Sequence, residues 1–472
     1  MDKIYDCLIV GAGVVGASVF NKLTRIGKKC AMIDHASDVA TGASKANSGL
    51  VHAGYDPEPG SLKAKLNVRG TALMPEICQR LGVPLKKCGA LVVGDDAEKI
   101  ANLKARGDAN GVEVEIWDRA QILQKVPQIS EHISVALFAP NAYIISPYLL
   151  TITLTEEAIV NGGEVFLEED LISAKKVDGF FEVKTKKNTF HAKTVVNSAG
   201  AGYNEVAKIF KGEEHPLLFR RGEYFVFDKQ CGLEVPCTIF PLPTKFGKGV
   251  LVTATVDGNF LVGPTSEDGE NNTQVTNAGL DDIKSKAGGM IAGINFRHAI
   301  REFAGVRVIS GDDFIVEKSS LQEGLVNLAG ICSPGLSSAP AIAEMVLELL
   351  GFENVEKKNL KKIQPYKMFK DCSPKEQAQM LKQDPRHKEI VCKCEKITKA
   401  DVISALHRPL AIHSVDAVKR RTNAGMGRCQ SGFCFTKVVK AISEECGVKY
   451  EKVLKENRGS EVAVGEIREV KE

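Results

Sequence analysis

Gly11, Gly13 and Gly16 follow the short apolar run Leu8-Ile9-Val10 and precede an apolar, helix-like segment from Ala17 to Ile26. Glycines at this spacing provide a tight turn, an unobstructed approach for a pyrophosphate, and close packing of helix on strand. The start of the helix offers N–H groups and a positive dipole end to phosphates. A second apolar run, Cys30-Ala31-Met32-Ile33, ends at Asp34. That is near the offset of about twenty residues expected for an acid that binds a ribose hydroxyl. Strand, glycines, helix, strand and acid in this order predict a dinucleotide site.

Four cysteines form a second chemical set. Cys392 and Cys394 make a C-x-C pair and Cys429 and Cys434 a C-x4-C pair, with residues 395–428 between them. Structural zinc sites favour C-x2-C pairs that close a tetrahedron. Thiolates at these wider, uneven spacings suit the two irons of a [2Fe–2S] cluster, zinc being the alternative. Lys393, Lys419, Arg420, Arg421 and Arg428 lie nearby in sequence; close in space, they would stabilise a reduced cluster. The other nine of the 13 cysteines are scattered and read as small core residues.

The elements that must position these groups belong to a chain of 472 residues, long enough for two or three domains. Its composition is ordinary for a globular protein, 44% hydrophobic and 26% charged with a net charge of +3, and no basic block points to nucleic acid. There is no run of about 18 apolar residues, so no transmembrane segment is expected. Asp2 and Asp6 flank a first apolar run that reads as a strand rather than a signal peptide. Thirteen cysteines without a secretion signal are expected as thiols or metal ligands, and the expected compartment is the cytoplasm, with membrane association only through a partner.

Beyond Asp34, the stretch Thr41–Gly54 is too polar and glycine-rich for a core helix and reads as a functional loop. Residues 61–83 predict an amphipathic helix. Thr194–Gly202 is a buried-strand pattern running into small residues, which would let backbone pass close to a ligand. Pro216–Pro264 alternates apolar and polar residues and predicts an antiparallel sheet facing substrate. Leu325–Ala339 returns to glycines, and a helix from Ala339 to Leu350 is expected to point its N-terminus at what they hold. Residues 353–388 look like a connecting segment. Two short helices are expected between the cysteine pairs, at Asp401–His407 and Val415–Arg421.

Together the GAGVVG turn, the ASKANSGLVHAG loop, RRGEYFVF at Arg220–Phe227, VDGNFLVGPT at Val256–Thr265, REFAGVR at Arg301–Arg307 and GICSPGLSSAPAIAEMV at Gly330–Val346 resemble the glycine oxidase/D-amino-acid oxidase superfamily of FAD enzymes. Within it the sequence is most similar to FAD-dependent glycerol-3-phosphate dehydrogenases, in a form also similar to L-2-hydroxyglutarate dehydrogenase. EIVCKCEKIT and AGMGRCQSGFC resemble the bacterioferritin-associated ferredoxin-like [2Fe–2S] domain. The resemblance implies an α/β fold. A Rossmann-like FAD-binding domain carries an antiparallel-sheet substrate domain, followed by a small helical C-terminal [2Fe–2S] domain. The implied oxidoreductase spans residues 1–352, with FAD-binding parts at about 1–85, 150–212 and 305–352 and substrate parts at about 86–149 and 213–304. The cluster domain is expected at 389–450, before a tail at 451–472.

The resemblance implies FAD held by Gly11, Gly13, Gly16, Asp34, Ser44, Ser48, Ala199, Gly200, Gly335 and Leu336. Relatives usually place Glu where this chain has Asp34, one methylene shorter. Relatives also use the arginine of the AGVR segment, here Arg307, for the anionic end of the substrate. His52 is the candidate base. The cluster ligands implied are Cys392, Cys394, Cys429 and Cys434. The activity implied is oxidation of glycerol-3-phosphate to dihydroxyacetone phosphate, with electrons passing from FAD through the cluster to a redox partner subunit. Rivals are a 2-hydroxy-acid dehydrogenase, an amine or imino-acid dehydrogenase, and a non-catalytic electron-transfer subunit.

Overall fold

Strand Ile4–Val10 lies parallel to Cys30–Asp34 on one side and to Thr189–Asn197 on the other. Its near-continuous apolar character is what a central parallel strand covered on both faces requires. The helix Val14–Arg25, which follows the glycine turn, packs against the helices Pro147–Val160 and Gly335–Leu350. The computed structural model describes residues 3–243, 249–463 and 465, and the chain forms two compact units. One comprises residues 1–34 and 40–362, the other residues 35–39 and 363–472.

The first unit holds two large sheets. Eight strands form the sheet around Ile4–Val10, with Glu164–Leu167 parallel beyond Cys30–Asp34. On its other side, Thr189–Asn197 pairs along its first half with Phe180–Thr185, antiparallel. Its last residues pair with Leu325–Ala329, parallel. Five parallel strands therefore lie side by side, the arrangement in which α/β sheets bind ligands at their carboxyl ends.

The second sheet has nine strands. Its longest ladder joins Leu218–Phe227 to Ala299–Ile309, antiparallel over nearly their whole length. The sheet is antiparallel throughout except where Thr238–Pro241 runs parallel to Ala90–Gly94. Leu91, Phe225, Phe227, Val252 and Val262 form its core with Ile283 and Ala287 of the helix Asn277–Met290. That helix is capped by Thr276, whose N–H and hydroxyl both donate to the fully buried Glu223 carboxylate.

The helix expected to begin at Ala339 begins at Gly335. Pro340, five residues after this start, lies inside the helix, which gives up one backbone hydrogen bond there. The predicted helix over 61–83 spans Leu62–Leu81, capped by the Ser61 hydroxyl and closed by Gly82 in the left-handed region.

In the second unit the helices Lys399–Leu406, Val415–Thr422 and Phe435–Cys446 enclose Ile397, Val402, Leu406, Val418, Val439 and Ile442. Val453 joins this core from the segment read as a tail. A further helix, Pro374–Gln383, forms within the stretch read as a connector. Arg420 and Arg421 are buried. They pair with Asp38 at 2.9 and 2.8 Å, and Arg420 also pairs with Glu456. The charge of these two arginines, considered above for the cluster only if close to it, is thus met by Asp38 and Glu456, as a buried guanidinium requires. Among the described residues no helix is long and apolar enough to cross a membrane.

Candidate active site and cluster site

The glycine turn is locked by close backbone approach. Gly11 has φ +105°, and a Cβ there would lie 2.6 Å from the Ser198 carbonyl oxygen. A Cβ on Gly16 would run into the Gly11 carbonyl. The Ser198 hydroxyl, from the end of the neighbouring strand, bonds the Val10 and Gly11 carbonyls at 2.9 and 3.1 Å. Asp34 accepts from the Ala12 N–H at 2.7 Å, so its carboxylate also holds the turn. Gly13 differs from the other two, since a Cβ there would meet only the Ser44 hydroxyl, at 3.2 Å. Ser44 in turn accepts from the Val14 N–H at 2.9 Å and caps the helix from the Thr41–Gly54 loop. Ala199 is half-buried and Gly200 exposed at the end of the adjacent strand. This cradle, open only at Gly13 and set at the carboxyl ends of parallel strands, fits a dinucleotide pyrophosphate.

The loop Thr41–Gly54 meets the second sheet at Gly305, where a Cβ would collide with the Ala46 carbonyl. Two residues further along the same strand lies Arg307. Its Nη2 donates to the Thr265 carbonyl at 3.0 Å and faces the Ser266 hydroxyl at 3.4 Å. Its Nε and Nη1 make no hydrogen bond among the described residues. Burial, with Arg220 adding to it, pulls the Arg307 pKa below the usual guanidinium value. Tyr224 lies close enough to interact with Arg307 electrostatically, and its hydroxyl hydrogen-bonds Ser48. Its ring stacks on Phe303 with centroids 4.8 Å apart. Burial pushes the Tyr224 pKa up, only partly offset by Arg307 and Ser48.

His52 is fixed through its backbone. Its N–H donates to Ser337 at 2.8 Å, and its carbonyl accepts from Asn67 at 2.6 Å and Thr71 at 2.7 Å. Its ring lies 5.9 Å from that of Phe240. His52 and Arg307 reach the site from different elements and share no hydrogen bond. Gly335 and Leu336 form the first turn of a helix that has no side-chain cap. Sequence reasoning missed Tyr224, Ser266 and Ser337. Tyr224 lies inside the RRGEYFVF motif, and alternation along a strand sets it on the same face as Arg220. Nothing in the sequence marks Ser266 or Ser337.

In the second unit the four cysteines fall into two pairs. Cys394 Sγ lies 3.7 Å from Cys429 Sγ, and Cys434 hydrogen-bonds Cys392. Two thiolates on one tetrahedral metal, each at about 2.3 Å, stand about 3.8 Å apart. Cys392 and Cys434 are buried and Cys394 is exposed. The Cys392 pKa is pulled below the usual thiol value by the Cys434 thiol first, and by the Gly425 and Glu395 N–H groups, against burial. Sulfurs that accept backbone N–H groups are suited to carrying negative charge. Two pairs, one inner and one outer, fit a two-iron cluster with two thiolates per iron. All 13 cysteines are free thiols in the structure, five of the other nine buried.

A glycine cradle at a parallel sheet, a second sheet bearing a half-buried arginine, and a two-pair thiol module define a flavoprotein with an iron–sulfur domain. The model for FAD dependent oxidoreductases matches residues 6–349, and that for the BFD-like [2Fe-2S] binding domain matches residues 390–444. The chain belongs to the FAD-dependent oxidoreductase family, as its motifs led one to expect, and its cofactors are FAD and a [2Fe–2S] cluster. It is 40% identical to glycerol 3-phosphate dehydrogenase of Caloramator mitchellensis, over 98% of each chain. It is 32% identical to glycerol 3-phosphate oxidase of Mycoplasma pneumoniae, over 75% of this chain and 96% of that one. The solved structure of dithionite-reduced L-alpha-glycerophosphate oxidase from Mycoplasma pneumoniae, with FAD bound, superposes with a TM-score of 0.74 at 31% identity. That match covers 77% of this chain and all of the other.

Proposed function

We propose that this chain is a dehydrogenase that oxidises glycerol 3-phosphate to dihydroxyacetone phosphate and passes the electrons to a separate redox partner. The carrying observation is Arg307, a half-buried cation anchored through one nitrogen while Nε and Nη1 make no hydrogen bond among the described residues. Such a group binds an oxyanion strongly, because charged hydrogen bonds strengthen away from water. The 40% identity to a glycerol 3-phosphate dehydrogenase over nearly the full length supports phosphate as that anion.

In this reading Arg307 holds the phosphate, and His52 takes the proton of the substrate hydroxyl. The clamps on the His52 backbone from Ser337, Asn67 and Thr71 keep its position constant. Gly11, Gly13, Gly16, Asp34, Ser44, Ser48, Ala199, Gly200, Gly335 and Leu336 are assigned to FAD. Cys392 with Cys434, and Cys394 with Cys429, are assigned to the cluster. FAD, when bound, takes up two electrons from the substrate and the cluster carries electrons singly.

The match to the Mycoplasma pneumoniae oxidase covers only 75% of this chain, whereas the match to the dehydrogenase covers 98%. Sharing the cluster module's length with a dehydrogenase favours onward electron transfer over reaction with oxygen. Anaerobic bleaching of the flavin with glycerol 3-phosphate, L-2-hydroxyglutarate and amino acids tests the assignment. Bleaching by glycerol 3-phosphate at the lowest concentration is the expected result; preference for a 2-hydroxy acid or an amine would overturn it.

A further inference from the structure

The ladder between Leu218–Phe227 and Ala299–Ile309 carries a distinctive face. Tyr224 stands opposite Phe303, Gly222 opposite Gly305, and Arg220 opposite Arg307. Residues two apart on a strand share a face, so two bare glycines lie between an aromatic stack and a pair of guanidiniums. Two arginines directly opposite repel each other, and the structure separates them by giving each its own anchor. Arg220 is turned to Asp268, with Nη2 bonded at 2.9 Å. Arg307 lies the other way, towards Gly222, where an added Cβ would stand 3.6 Å from its Nη2.

The same added Cβ would stand 2.7 Å from Pro264 Cβ. Pro264 leads into Thr265 and Ser266, the two residues that hold Arg307. Thr265 is itself pinned to the strand, since its hydroxyl accepts from the Glu223 N–H at 2.9 Å and its N–H donates to the Glu223 carbonyl at 3.2 Å. The absence of a side chain at Gly222 thus lets the Pro264–Ser266 turn descend onto the strand and meet the guanidinium. Gly305 does the equivalent on the partner strand for a different segment, the loop that carries Ser44, Ser48 and His52.

We infer that Gly222 and Ser266 are positioning residues for anion recognition: the bare strand at Gly222 seats the Pro264–Ser266 turn, and Thr265 and Ser266 aim the Arg307 guanidinium. Gly305 seats the cofactor loop instead, so the two opposed glycines serve different ligands. The inference rests on Arg307 being the anion-binding group proposed above. It goes further by naming which residues fix its geometry.

The test uses the holoenzyme and five variants, Gly305→Ala among them for flavin content alone. Flavin content, KM, kcat and the dissociation constant of inorganic phosphate by calorimetry are measured for Gly222→Ala, Ser266→Ala, Ser266→Thr and Arg307→Lys. Ser266→Ala and Gly222→Ala are expected to raise both KM and the phosphate dissociation constant by about tenfold, the size of one lost hydrogen bond to a charged group. The flavin should remain bound, with kcat falling much less than KM rises. Ser266→Thr keeps the hydroxyl and should restore both constants. Gly305→Ala should instead lose flavin. If Arg307→Lys weakens phosphate binding while Ser266→Ala and Gly222→Ala do not, the positioning role is wrong and the anion clamp stands. If Arg307→Lys leaves phosphate binding unchanged, both are wrong. Should Gly222→Ala fail to fold, the Ser266 pair decides alone.

Discussion

Cys394 Sγ and Cys429 Sγ stand 3.7 Å apart at an exposed edge of the small unit, while Cys392 and Cys434 pair beneath them among buried aliphatic side chains. The outer pair is reachable from solvent and the inner pair is not. Replacing Cys429 by Ser is expected to remove the cluster yet leave FAD and substrate-dependent bleaching in place, because Cys429 belongs to the second unit and the cradle to the first. Iron and acid-labile sulfide analysis of anaerobically purified protein checks this. Zinc without sulfide in the parent protein would contradict the cluster assignment.

The three glycines of the turn should respond differently to substitution. Gly16→Ala drives a Cβ into the Gly11 backbone and is expected to destabilise the first unit by about 1–3 kcal/mol or more. Gly13→Val faces only the Ser44 hydroxyl. It should fold normally and purify with little flavin. Thermal melting and flavin absorbance separate the two effects, and a Gly13→Val protein with full flavin would remove the pyrophosphate from that position.

Arg307→Lys should raise KM for the anionic substrate, at a cost of roughly 2–3 kcal/mol in kcat/KM. Lysine keeps the charge and loses the planar fork. Unchanged steady-state kinetics on glycerol 3-phosphate would exclude Arg307 as the clamp.

Asp38 offers a pH test of the second unit. Burial raises its pKa, but Arg421 and Arg420 outweigh burial and leave it below the usual carboxylate value. A depressed folded pKa means that the ion pairs contribute fully above the unfolded value of about 3.9 and are lost as pH falls through the lower folded value. Melting of the second unit should therefore be insensitive to this group at neutral pH and fall below about pH 4. Asp38→Ala strands the buried Arg421 guanidinium and leaves Arg420 only Glu456, and should cost about 3–5 kcal/mol at pH 7. A melting temperature unchanged by Asp38→Ala would show that the pairs contribute nothing.

The proposed transfer of electrons to a partner predicts a kinetic pattern. Reduced by substrate, the protein should react slowly with oxygen and quickly with a one-electron dye. Rapid turnover with oxygen and stoichiometric peroxide would mean an oxidase with no need of a partner.

How far the chain was legible depended on whether the physics was local. The glycine turn, Asp34 and the cysteine pairs could be found from spacing alone, because each is specified by residues a few positions apart or by residue type. The helix over Leu62–Leu81 was legible for the same reason, its cap, apolar periodicity and terminal glycine all lying within the segment. The helix expected from Ala339 starts at Gly335, a boundary that no side-chain cap marks in the sequence.

What the sequence determined by itself was the set of chemical groups: a glycine turn, an acid, an arginine in a strand and four thiols in two spaced pairs. Only the tertiary structure decided which of them meet. It put Gly222 opposite Gly305, laid Arg307 towards one of them and brought Tyr224 to Ser48. It also committed Arg420 and Arg421 to Asp38, far away in sequence. These are long-range contacts set by strand register and by the cost of burying charge, and neither is encoded within any single segment.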